Sequence, residues 1–155
     1  MGVILKNEKV IKDWTDYNGH MNMSYYILIF DNAAEVMLTK FNMGEDSAKS
    51  EKISTFAVET HTTYDQEVKL GEEVEVHLTY FDHDKKRIHY RFSMFHKEKK
   101  YLAATTEVLS LYIDLNRRKV AEFEAGKIKI MDEFIKNNSS KFNTEKLVLL
   151  NKLKK

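Results

Sequence analysis

The 155-residue sequence has no cysteine, no proline, five glycines and a single tryptophan. Without cysteine there is no disulfide framework, no thiolate metal site and no cysteine nucleophile. Without proline, other residues must mark the turns and boundaries. Five glycines leave no phosphate-cradling loop. No stretch approaches the ~18 apolar residues that span a bilayer. Met1 to Val10 lacks the apolar run and small-residue cleavage site of a secretion signal. Gly2 follows Met1, but Lys6 stands where a myristoylation motif has Ser or Thr. The expected location is cytoplasmic, with no membrane partner. Excess charge of one sign is also missing: 25 Lys+Arg against 24 Asp+Glu give a net +1. That balance excludes a strongly basic nucleic-acid binder.

What is present is a globular composition. The 43% hydrophobic content argues against disorder, and the length suits one domain of ~150 residues with a short appendage. Composition shifts once. Residues 125–155 hold eight lysines against Asp132, Glu133 and Glu145, whereas residues 1–124 carry a small acidic excess. The division expected is a body over 1–124 and a basic helical extension over 125–155, packed on the same domain. Ile128, Met131, Phe134 and Ile135, then Leu147, Leu150 and Leu153, recur at helical spacing around a polar break at 137–140. They predict two amphipathic helices with lysine-rich outer faces.

Between Tyr25 and Phe41 the residues Ile27, Phe30, Ala34, Met37, Leu38 and Phe41 form a helical stripe. Asn22 or Ser24 offers an N-cap and Gly44 a stop. Leu28, Ile29 and Val36 add apolar residues on other faces, which predicts a buried helix about 25 Å long. After a polar stretch at 45–52 the period changes to two. Residues 55–64, 74–80, 88–94 and 102–113 read as strands joined by connectors of hairpin length. The fold class is α+β: a long antiparallel meander covering an apolar helix.

The densest group of reactive side chains lies in Trp14-Thr-Asp-Tyr-Asn-Gly-His-Met-Asn-Met-Ser-Tyr-Tyr26, which feeds straight into that helix. A helix N-terminus presents unpaired N–H groups and partial positive charge, suited to an oxyanion. Gly19 permits a backbone conformation or close approach that a side chain blocks. A carboxylate a few residues earlier can act as base or nucleophile beside that hole. The blander alternative is that Asp16 caps a turn, since Asp-Tyr-Asn-Gly is good turn chemistry.

Asp16-Tyr-Asn18-Gly19-His20-Met-Asn22, followed by Tyr25-Tyr26 and Phe30-Asp31, resembles the Asp-x-x-Gly-His-x-Asn signature of hotdog-fold acyl-CoA thioesterases, the 4-hydroxybenzoyl-CoA thioesterase-like family. The Asp-x-Asn-x-His run is also similar to that of acyl-carrier-protein thioesterases. Val58-Glu59-Thr60-His61, Gly71-Glu72 and Asp84 to His89 resemble the betainyl-CoA thioesterase branch. The resemblance spans roughly residues 8–122. It implies an antiparallel sheet curled around the long helix, homodimers or homotetramers built as dimers of dimers, active sites at the subunit interface, and an acyl-CoA substrate with no cofactor. Asp16 matches the catalytic carboxylate, with Asn18 and His20 as helpers. Gly19, Asn22, Met23 and Ser24 match the oxyanion hole and substrate-positioning segment. Many relatives carry a proline near the end of the last strand, and this chain does not.

Trp14, Tyr17, Tyr25 and Tyr26 are near enough in sequence to box a cationic acyl group. Asp31 falls at the edge of the apolar stripe, where a carboxylate needs hydrogen bonds or a cation, so a structural pairing is expected for it. Glu59 and His61 share one strand face and are candidates for the substrate pocket or for a cross-strand pair. The six histidines form no metal-ligand spacing, and no Gly-x-Ser-x-Gly elbow occurs, so no metal site is expected. Two other functions fit the same scaffold: an acyl-CoA hydratase or dehydratase, and a non-catalytic acyl-CoA-binding module.

Overall fold

The computed structural model describes residues 2–155. Its elements are β1 (Val3–Lys9), α1 (Met23–Lys40), α2 (Glu45–Glu51), β2 (Ile53–Tyr64), β3 (Glu73–His83), β4 (Arg87–His96), β5 (Leu102–Asp114), β6 (Lys119–Val120) and α3 (Ala125–Asn138). The strands form one sheet in the order β1-β3-β4-β5-β2, with β6 beside β5. Every pairing is antiparallel.

The sheet curls because its ladders are interrupted. Register shifts fall at Ile4/Lys6, Ala57/Glu59, Tyr80/Asp82 and Met94/Phe95. Each such irregularity bends a strand and raises its twist. The concave face closes on α1. Val74, Val76, Leu78, Ile88, Phe92 and Met94 from β3 and β4 are all at most 1% exposed, and Phe30 of α1 stacks on Phe92 at 6.2 Å.

Several features differ from the sequence reading. β1 lies outside the strands read from the sequence: Val-Ile-Leu gives way to Lys-Asn-Glu-Lys without a sustained alternation, yet the segment pairs along β3 and Leu5 packs on the core. The polar stretch at 45–52 contains the helix α2. Gly44 begins α2 instead of ending α1. A Cβ there would lie 2.5 Å from Thr39 Oγ1 and 2.7 Å from Glu35 Oε1, and Glu35 Oε1 accepts the Glu45 N–H at 2.7 Å. α1 itself ends at Lys40, and Asn42 just beyond it takes the left-handed conformation at φ 57°. The buried stripe of α1 is Tyr26, Ile29, Phe30, Ala33 and Met37, rotated from the expected one, and Ile27 and Leu28 remain 44% and 39% exposed.

α3 forms as expected and docks on the closed end of the sheet. Phe134 meets Phe41 and Tyr80 edge-on, at 5.2 and 6.2 Å. Lys127 is buried and pairs with Glu51 at 2.9 Å. The second amphipathic helix expected around Leu147, Leu150 and Leu153 does not form; residues 142–155 are turns and irregular chain. Lys146 and Asn151 adopt φ values of 57° and 66°, which an α-helix excludes. The backbone groups of this segment are instead taken up by side chains of the body.

Candidate active site

The segment 14–22 folds back on itself before α1 begins. Gly19 N–H donates to Asp16 O at 3.0 Å, which closes a turn, and Asp16 Oδ1 accepts the Asn18 N–H at 2.8 Å. Gly19 sits at φ +78°, the left-handed region its lack of Cβ favours. Asn22 N–H donates to Trp14 O at 2.8 Å, and Met21 N–H to Val68 O at 2.8 Å. His20 forms a bridge with Lys69. The turn is therefore held against the segment that enters β3.

Asn22 does two things. Its Oδ1 accepts the Ser24 N–H at 3.0 Å and so caps α1. Its Nδ2 donates to Asp16 Oδ2 at 3.2 Å. Both oxygens of Asp16 thus carry a hydrogen bond beside the positive end of α1. The Asn18 N–H, aided by Asn22, holds the Asp16 carboxyl below the usual aspartate value. Of the first backbone donors, Asn22 N–H goes to Trp14 O, Ser24 N–H to Asn22 Oδ1 and Tyr25 N–H to Asn22 O. Among the described residues, the Met23 N–H has no such partner.

His20 Nδ1 lies 2.9 Å from Met21 O. A carbonyl only accepts, so Nδ1 carries the proton and Nε2 keeps its lone pair in the neutral ring. His20 lines a cavity of about 200 Å³ with Met21, Met23, Tyr26, Tyr64 and residues 65–67. Tyr26 is 4% exposed, and its hydroxyl accepts the Val68 N–H at 3.2 Å. Burial raises its pKa.

The remaining candidates scatter. Trp14 stacks on Tyr25 at 5.9 Å, and Tyr26 meets Tyr64 edge-on at 5.4 Å, while Tyr17 is 97% exposed at the tip of the turn. The four aromatics do not form one box within a chain. Asp31 is exposed and, against expectation, has no hydrogen bond or ion pair among the described residues; exposure removes the need for one. It opens on a second cavity, of about 140 Å³, with Phe30, Ala34, Tyr90 and Phe92. Glu59 lies 3.5 Å from Lys152, and His61 lines a third cavity on the other side of the sheet. Neither is brought to Asp16 within one chain. Tyr64, Asp65, Tyr90 and Phe92 were not singled out in the sequence. Alternation places Tyr90 and Phe92 on one strand face, but nothing in it tells which cavity that face lines. No group of three or more His, Asp and Glu side chains suited to a metal ion occurs among the described residues.

Glu72 steadies this site from outside. Its carboxylate accepts from Lys99 Nζ at 2.6 Å and from the Lys69 N–H at 2.8 Å, beside the Lys69 bridge to His20. Those bonds hold its pKa down at about 2. A lowered carboxylate stabilises the fold above its unfolded value of 4.5, and that contribution is lost as pH falls toward 2. Glu72→Gln should therefore lower stability by about 1–2 kcal/mol at pH 7. Urea titrations at pH 7 and pH 3 check this, with the gap between variant and wild type narrowing at the lower pH.

A sheet curled around one long helix is the hotdog fold. The sequence model of the Thioesterase-like superfamily matches residues 10–136, and the chain belongs to that family of thioester hydrolases. It is 30% identical over 115 residues to a betainyl-CoA thioesterase of Pseudomonas aeruginosa, covering 74% of this chain and 72% of that one. A Staphylococcus aureus protein solved in complex with CoA superposes with a TM-score of 0.82 at 25% identity, over 88% of this chain and 87% of the other. A 1,4-dihydroxy-2-naphthoyl-CoA thioesterase from Synechocystis shares the fold, with a TM-score of 0.73 at 17% identity over 83% and 94% of the two chains.

Proposed function

We propose that the chain hydrolyses an acyl-CoA thioester to the free acid and CoA, with Asp16 as general base. The observation that carries this reading is the double role of Asn22, which orients the Asp16 carboxylate while capping α1. Carboxylate and helix N-terminus are thereby locked together. Water adds to the thioester carbon as Asp16 takes its proton, and the carbonyl oxygen becomes an oxyanion. Met23 N–H and the positive end of α1 stabilise that charge. Collapse then breaks the carbon–sulfur bond, and the thiolate recovers the proton. His20, which lines a cavity with Met23, assists the proton transfer through Nε2. Asn18, Gly19 and Ser24 hold the loop and cap in place.

The working unit is a homodimer. β2 is an edge strand with Phe56, Val58 and Tyr64 exposed, and Ile27 and Leu28 of α1 are exposed as well. An unpaired, apolar edge is a template for pairing with another chain. From Asn22 to Asp31 is nine helical residues, about 13 Å. A short acyl group cannot bridge that distance within one chain, so the Asp31 cavity serves the thioester held by the partner's turn.

That cavity supports a short cationic acyl group. It joins three aromatic rings to one carboxylate without an ion-pair partner, a combination that suits a quaternary ammonium. The betainyl-CoA thioesterase relative supports the same substrate. Asp31→Asn should then lower kcat/KM for betainyl-CoA about tenfold, with little change for its uncharged isostere, 3,3-dimethylbutyryl-CoA. Thiol release from both substrates checks this, and equal losses on the two would remove the cation from the reading.

A further inference from the structure

Residues 143–155 lie beyond the family match and make no ladder of their own. Thr106 and Val108 of β5 face the α1-side cavity, so Glu107 between them points to the opposite, outer face of the sheet. Glu107 is 2% exposed, a depth at which a carboxylate requires partners. His89 Nε2 supplies one at 2.7 Å. The other two come from the tail: Val148 N–H on Oε2 at 2.7 Å and Leu149 N–H on Oε1 at 2.8 Å.

Two more side chains repeat the pattern. The Arg91 guanidinium donates to Asn143 O at 2.6 Å and Glu145 O at 2.8 Å. Asp84, whose side chain is 2% exposed, accepts the Lys154 N–H at 2.8 Å. Five backbone groups of the tail are thus read by three side chains of the body. Leu149 is 4% exposed and supplies the apolar anchor. Lys152 pairs with Glu59, and Lys155 with Asp82.

We propose that residues 143–155 are a strap docked in a backbone-reading groove on the outer face of the sheet, where it reserves that face against packing by a second copy. Two sheets stack face to face about 10 Å apart, and the strap with its roofed cavity of about 510 Å³ occupies that layer. Assembly is left to the β2 edge and the α1 side.

Hydrogen exchange on the intact chain tests the docking. Glu107→Gln removes the charge that both tail amides bond to and turns an NH2 group toward one of them, since Val148 N–H and Leu149 N–H take different oxygens. It should speed exchange at the Val148 and Leu149 amides about 10- to 100-fold, while the Tyr112 amide, bonded to Lys86 O, keeps its rate. Leu149→Ala, which leaves the buried charges of the body intact, should speed the same two amides if Glu107→Gln fails to fold. Unchanged rates in a folded variant overturn the docking claim.

The closed face is tested separately. The chain has no cysteine, so Val148→Cys gives a single thiol at a position 54% exposed. A polyethylene glycol maleimide should label it completely in the assembled protein, with the number of chains unchanged in sedimentation. A protected thiol, or an assembly split by the label, places a second copy on that face and overturns the proposal.

Discussion

Asp16→Asn should lower kcat for CoA release by about 10³-fold, within the range that a positioned general base contributes. The introduced amide has no lone pair of carboxylate basicity, so water must attack unaided. Its NH2 group also meets the Asn22 NH2, which Ser24 holds in place through Oδ1. The remaining loop bonds do not involve the Asp16 side chain: Gly19 N–H to Asp16 O, Asn22 N–H to Trp14 O and Met21 N–H to Val68 O. The variant should therefore fold, and the loss should appear in kcat far more than in KM. Because the Asn18 N–H holds the Asp16 carboxyl low, wild type should keep its base ionised down to below the ordinary aspartate value. The acid limb assigned to Asp16 should accordingly lie below 3.8. A variant within a few-fold of wild type would remove Asp16 from the mechanism.

Phe41→Ala should cost about 3–5 kcal/mol of stability. Phe41 is fully buried and packs at 5.2 Å against both Tyr80 of β3 and Phe134 of α3. Its removal leaves a cavity where three elements meet. The Tyr80 hydroxyl, whose pKa burial raises, is held there by Met131 Sδ at 3.1 Å and by His83 Nδ1 at 3.3 Å, so the site has little freedom to collapse. Denaturation should be followed by far-UV circular dichroism and by fluorescence of Trp14, the sole tryptophan. The two probes should shift together, because Trp14 lies in the loop before α1 while α3 closes the other end. Transitions that separate would make residues 125–155 a unit apart from the body, against the single domain proposed.

The sequence made the helix, the four long strands and the turn around Asp16 legible, because each is written in local signals. α1 has apolar steps of three and four behind a capping Asn22; β3 and β4 alternate; Asp-Tyr-Asn-Gly is turn chemistry. The missing proline suits β2 and β5, whose 12 and 13 residues keep every ladder donor. What was not legible depends on partners distant in the chain. β1 joins three apolar residues to four polar ones and becomes a strand through β3. α2 is capped by Glu35, ten residues before the Glu45 N–H it accepts. The tail has a helix-like apolar period, yet its amides are claimed by Glu107, which lies 41 residues before Val148. The same limit applies to the site. Asp16, Asn18, Asn22 and His20 are close in sequence and in space, whereas Glu59, His61 and Asp31 belong to other surfaces of one chain.

Cleavage of acyl-CoA thioesters by this chain is tested most directly by free-thiol release from purified protein given betainyl-CoA, a neutral short-chain acyl-CoA and a long-chain acyl-CoA. Acid and CoA should appear in equal amounts from the short thioesters, fastest with the cationic one, and little should come from the long chain. Absence of thiol above the uncatalysed rate with all three would contradict that activity.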